Sequence, residues 1–162
     1  MRLAAPGLFY RMCGLAVVVV VLDQLSKLWV FRSLLAERME IVVLPIFTLV
    51  KRYNTGISFS IFATDHATGP WLFALLATVI ALGLLIWLSQ TADRLPAVGL
   101  ALVVGGAVGN VIDRLREGAV MDFLLFHWRE LAWPAFNLAD SAITIGVALL
   151  IWDGVFGGRK RA

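Results

Sequence analysis

Charge is scarce in this chain. Asp, Glu, Lys and Arg make up 15% of its residues, against roughly 25% in an ordinary soluble domain. Hydrophobic residues make up 60% of the 162, more than one soluble core can take up, which puts the chain in the class of polytopic membrane proteins. Cysteine is almost absent. The single Cys13 excludes an internal disulfide, a CxxC redox pair and a cysteine-based zinc site. The two histidines, His66 and His127, lie far apart, read as surface loop residues and form no HExxH. No G-x-S-x-G nucleophile elbow occurs. Ser26 and Lys27 are adjacent, and neighbours on a helix point about 100° apart, so they make a poor Ser–Lys dyad. Internal repeats and low-complexity linkers are also missing.

What is present is a set of long apolar runs. A bilayer about 30 Å thick needs about 20 apolar residues per helical span. Four segments meet or approach this: Met12 to Phe31, Trp71 to Leu88, Pro96 to Arg114 and Phe136 to Phe156. The second is 18 uncharged residues with Trp near each end, the pattern of interfacial belts. The third is rich in Gly99, Gly105, Gly106 and Gly109, and Gly105 with Gly109 forms a GxxxG, most simply a packing face. The first begins like a signal peptide, but no small-x-small cleavage site follows, so it is read as a retained helix.

Four spans place both termini on one side. Charge orients them weakly. Six Lys and Arg fall on the side of the termini and eight on the other. The span-flanking N-terminus and the tail Arg159-Lys160-Arg161 favour termini inside. Within a net charge of +3, so short a tail suits lipid headgroups better than nucleic acid.

The segment from Ser33 to Pro70 is too long for a simple connector. Ile41 to Val50 is β-branched and apolar, Ile57 to Phe62 alternates with period two, and Tyr53-Asn54-Thr55-Gly56 between them is a turn signal. Short strands resting on the membrane surface are expected, with Pro45 at an edge or a bend.

The residues that carry chemistry lie near span ends. Asp122 stands in Ala119-Val120-Met121-Asp122-Phe123-Leu124 and Asp140 in Phe136-Asn137-Leu138-Ala139-Asp140-Ser141. A carboxylate beside a bilayer is costly and reads as functional by default. Two that meet there share a proton: the ionised partner activates water and the protonated one polarises a carbonyl. The alternative makes Asp140 a helix cap and Asp122 a solvated loop residue. Asn110, Asp113 and Arg114 form one polar patch at the end of the third span, with Arg114 either on a substrate carbonyl or in a structural pair with Asp113. Asn137, one turn before Asp140, either orients that carboxylate or caps the helix. Asn54 either serves the site or only its turn. Asp23 and Lys27, spaced i,i+4, suit a structural salt bridge.

Two other classes compete with paired-acid hydrolysis. A proton-coupled transporter would place its acids near the midplane, often in repeated halves. A membrane assembly factor would use these polar residues only to hold helices together.

Leu22-Asp23-Gln24-Leu25-Ser26-Lys27, Tyr53 to Ser60, Gly105 to Arg114, Val120-Met121-Asp122-Phe123 and Phe136 to Ser141, taken in register, closely resemble the bacterial lipoprotein signal peptidases (signal peptidase II). The resemblance covers nearly the whole chain as one peptidase domain. It implies a four-helix α-helical membrane protein with a small antiparallel β-sheet, inserted between helices 1 and 2, that cradles the substrate. It implies an aspartyl endopeptidase of the bacterial cytoplasmic membrane, termini in the cytoplasm, site toward the outer face. By motif, Asp122 and Asp140 match the catalytic pair. Asn54, Asn110, Arg114 and Asn137 match polar residues lining the site, with Gly106 beside them, and Asp23 matches a supporting position. The partner implied is a prolipoprotein, cut just before a diacylglyceryl-bearing cysteine by a monomer among membrane lipids, with no metal, organic cofactor or nucleic acid. Ser58 stands where many relatives have alanine.

Overall fold

The computed structural model describes residues 3–56 and 69–157. Among these residues four α-helices carry the fold: α1 (Pro6–Trp29), α2 (Gly69–Gln90), α3 (Arg94–Glu117) and α4 (Leu138–Phe156). All are long and apolar enough to cross a membrane. They correspond to the apolar runs, with shifted ends. Pro6 occupies the first turn of α1, where its missing N–H is harmless, so α1 starts before Met12. Beyond Trp29 a π-helical turn, Val30–Leu34, prolongs it. Conversely, α4 starts two residues later than expected because Asn137 caps it.

Val17, Leu22, Leu25, Leu75, Val79, Ile151 and Val155 face outward, as lipid-facing positions do. Polar residues and small residues turn inward instead. α3 is the central helix, packed against the other three. Its glycines allow that. A Cβ on Gly106 would run into the Ala139 carbonyl of α4, and one on Gly109 would lie 2.6 Å from the Asp23 carboxylate of α1. The GxxxG is therefore a packing face toward α1, with Gly105 lying against Ala16 and Val19.

A four-stranded antiparallel sheet, β1 (Glu40–Leu44), β2 (Phe47–Asn54), β3 (Val120–Trp128) and β4 (Leu131–Ala132), lies at the helix ends remote from the termini, in that spatial order. The α1–α2 connection supplies β1 and β2, as expected. The α3–α4 connection supplies β3 and β4, which the sequence reading left unassigned. The bend expected at Pro45 is there: a turn at Pro45-Ile46 divides the apolar stretch between β1 and β2 and puts Pro45 outside the ladder. The turn at Tyr53 to Gly56 needs correction, since Tyr53 and Asn54 still belong to β2. His127 is not a loop residue; it sits on β3 and hydrogen-bonds Thr48 at 3.0 Å. The strand expected at Ile57 to Phe62, His66 and the basic tail lie outside the described residues. Val30, Phe31 and Leu35 pack against Met121 and Phe123 in a small core beneath the sheet, fixing β3 to the end of α1.

Candidate active site

Asn137 is the hinge of the site. It is fully buried and is the N-cap of α4, its Oδ1 accepting the Asp140 backbone N–H at 2.9 Å. Its own N–H donates back to Asp140 Oδ2 at 3.2 Å. This is a capping box, which satisfies two donors otherwise orphaned at a helix start. Cap and carboxylate orientation are thus one arrangement rather than alternatives. The remaining group of Asn137, Nδ2, donates to Asp122 Oδ1 at 2.8 Å. One asparagine therefore ties together both acids singled out in the sequence.

Asp122 is not a solvated loop residue. It lies inside β3 and is 3% exposed. Its second oxygen, Oδ2, accepts from Asn54 Nδ2 at 3.2 Å. Arg52 pairs with Asp122 across the β2–β3 ladder, and Asn54 is two residues further along, a diagonal neighbour on the same face. Asn54 also serves its turn: its Oδ1 accepts the Gly56 N–H at 3.0 Å, which fixes which end of the amide meets Asp122. Asp140 receives Asn110 Nδ2 on Oδ1 at 2.8 Å. Burial pushes the Asp122 carboxyl up from 3.8 to about 7; the charge of Asp140 adds to the rise, while the Asn54 and Asn137 hydrogen bonds oppose it.

Arg114 is also buried. It donates to the Gly56 carbonyl at 2.8 Å and to the Asn110 carbonyl at 3.4 Å. Its Nε has no partner among the described residues. Of the two alternatives for Arg114, the structural pair with Asp113 does not form. Asp113 turns to Lys27 at 2.7 Å, and Lys27 pairs with Asp23 at 2.7 Å, with all three side chains fully buried. Asp23 Oδ1 also caps the Ala139 N–H of α4 at 2.9 Å. Gln24, which the sequence reading passed over, donates to Asp113 at 2.8 Å. Its place one residue from Asp23 was the only signal.

Asn54, Asp122 and Asp140 line a groove of about 560 Å³, with Trp133, Phe136 and Ile145 among its apolar walls. The groove follows α4 from Asp140 to Ile145, a little over one helical turn, and Ile145 faces outward. It therefore leads from the acids toward the lipid-facing surface. Gly106 lies not in the groove but beneath it, at the α3–α4 contact. Among the described residues no three of His, Cys, Asp and Glu converge to hold a metal ion.

Residues 15–156 match the family model for signal peptidase (SPase) II. The chain belongs to the signal peptidase II family. It is 46% identical to the lipoprotein signal peptidase of Pseudomonas aeruginosa over 151 residues, which cover 90% of this chain and 88% of that one. The lipoprotein signal peptidase of Rhodopseudomonas palustris is 42% identical over 146 residues, covering 87% and 89%. A solved bacterial membrane enzyme has a TM-score of 0.80 at 26% identity, covering 94% of this chain and 92% of its own. A second has a TM-score of 0.71 at 28% identity, covering 87% and 90%. As a signal peptidase II with four helices able to cross a membrane, the chain is a multi-pass membrane protease.

Proposed function

We propose that this chain is an aspartyl endopeptidase that removes signal peptides from diacylglyceryl-modified prolipoproteins, cutting on the N-terminal side of the lipidated cysteine. The observation that carries it is the pair of acids joined through Asn137 at the mouth of a groove that leads toward lipid. In the chemical step the ionised aspartate takes a proton from water. The water oxygen bonds to the scissile carbonyl carbon while the protonated aspartate gives its proton to the carbonyl oxygen. The aspartate that took the water's proton then passes it to the amide nitrogen while the other takes back a proton from the diol, and the C–N bond breaks, leaving a free amine on the cysteine and a carboxyl on the signal peptide that ionises to carboxylate. Burial and the neighbouring charge of Asp140 hold the Asp122 carboxyl up at about 7, so the two acids share one proton and titrate as a unit. Asn54, Asn110 and Asn137 orient the acids. The free Nε of Arg114 is available to a substrate carbonyl if the side chain turns into the groove.

The groove's course along α4 supports a lipidated substrate. A diacylglyceryl group anchors the cysteine at headgroup depth, where span-end acids meet the bond beside it. We place the enzyme in the bacterial inner membrane as one peptidase domain acting as a monomer, with both termini cytoplasmic and the acids near the extracytoplasmic face. Purified enzyme should convert a diacylglyceryl-modified precursor to a faster-migrating product on a gel and leave the unlipidated precursor uncut. Equal cleavage of both would overturn the substrate assignment.

A further inference from the structure

The amide of Asn110 decides whether Asp140 meets a donor or an acceptor. Such an amide has two ends of similar shape and opposite polarity: oxygen accepts, NH₂ donates. Here Oδ1 takes Asn137 Nδ2 at 3.2 Å and Lys27 Nζ at 3.2 Å, while Nδ2 donates to Asp140 Oδ1 at 2.8 Å. Lys27 comes from α1, Asn110 from α3 and Asp140 from α4, so a chain of contacts crosses three helices.

The two donors on Oδ1 differ. The Asn137 side chain is itself an amide. An ammonium has only donors, so no rotation of Lys27 lets it accept from Asn110. A flipped Asn110 would set NH₂ against the ammonium and oxygen against the Asp140 carboxylate, two repulsive contacts in place of two attractive ones. The ammonium cannot move aside, because Asp23 and Asp113 hold it at 2.7 Å each. Its three protons are thus assigned to Asp23, Asp113 and Asn110.

Building on the aspartyl mechanism above, we propose that Lys27 is a positioning residue for that reaction: it locks the Asn110 amide so that its NH₂ is aimed at Asp140. It touches neither groove nor substrate. Asp23 and Asp113 hold Lys27 in place, and through it the amide, so the buried ion triad does more than join helices.

Lys27→Met alone leaves two carboxylates facing each other and invites unfolding. The test is therefore the charge-matched double variant Lys27→Met/Asp113→Asn, made in wild type and in Asn110→Ala. In the wild-type background kcat on a diacylglyceryl-modified precursor should fall about tenfold, the effect of one charge-assisted hydrogen bond, with KM within about twofold. In the Asn110→Ala background the same double change should lower kcat by less than about twofold, because the locked group is already gone. An equal fall in both backgrounds would mean that Lys27 acts through the fold alone, and would overturn the proposal.

A second readout does not depend on cleavage. In ¹⁵N-labelled protein the Asn110 side-chain NH₂ should exchange slowly with solvent in wild type and faster in the double variant. Rapid exchange in wild type overturns the lock even if the double variant does not fold. Full activity of Asp140→Asn with a protected Asn110 amide would instead sink the aspartyl mechanism and leave the lock standing.

Discussion

Two pairs of aspartates lie within one end of this bundle, and they are treated in opposite ways. Asp23 and Asp113 grip the ammonium of Lys27 and are fully closed from solvent. Among the described residues no cation is bonded to Asp122 or Asp140. They are held by the neutral amides of Asn54, Asn110 and Asn137 and line the groove. A cation fixes the charge of the acids around it. A neutral amide orients them and favours the charged form more weakly, so the number of protons can still change. The first arrangement suits a permanent structural joint, the second a site where a proton must come and go.

The comparison is broken most directly by removing acids. Asp122→Asn and Asp140→Asn should each lower the cleavage rate of a lipidated precursor by roughly a hundred- to ten-thousand-fold with the folded state retained. A variant cleaving at near wild-type rate would end the distinction between the pairs. The next largest effect belongs to the other pair. Lys27→Met should cost about 3–5 kcal/mol of stability, the usual consequence of uncovering a buried charge. A thermal melt in detergent checks this, and an unchanged midpoint would show that the triad is not a joint.

Acidity sharpens the contrast. With its carboxyl at about 7 in the fold and in the ordinary carboxylate range when unfolded, Asp122 binds more protons in the native state between those values. Its contribution to stability is therefore fully present below the ordinary carboxylate pKa and lost as pH rises toward 7. Wild type should lose stability relative to Asp122→Asn over that interval, and cleavage should decline on the alkaline side of about 7. Parallel melting curves of the two proteins from pH 4 to pH 8 would contradict this. The smallest effect is expected at Arg114→Ala: KM rises about tenfold, as for one lost hydrogen bond to a charged donor, with less change in kcat. An unchanged KM and melting temperature would exclude Arg114 from the substrate's path.

Helices were legible in the sequence because the bilayer imposes a length and an apolar composition that few other structures share. The site residues were legible as motifs, each beside an apolar run. Their partners were not. A pair between Asp113 and its neighbour Arg114 was one of two alternatives, but adjacent positions on a helix diverge by about 100°. The two side chains leave α3 toward different neighbours, Asp113 to α1 and Arg114 to the turn after β2. β3 escaped notice because Asp122 interrupts its apolar run, and the ladder partner that makes Asp122 a strand residue lies in β2, on the far side of two helices in the chain. Asn137 was read as a choice between cap and orienter, whereas an asparagine at a helix start has enough hydrogen-bonding groups to do both.

The sheet is woven from two separate connections, one made early in the chain and one late. Asn54 must wait for Asp122, 68 residues on, and Asp23 for Ala139, 116 residues on. During synthesis the opening beside α4 comes into being only when the last helix is laid into the bilayer. A chain stalled or clipped before that point carries most of the polar residues but only one wall of the cleft, and it lacks Asp140 altogether.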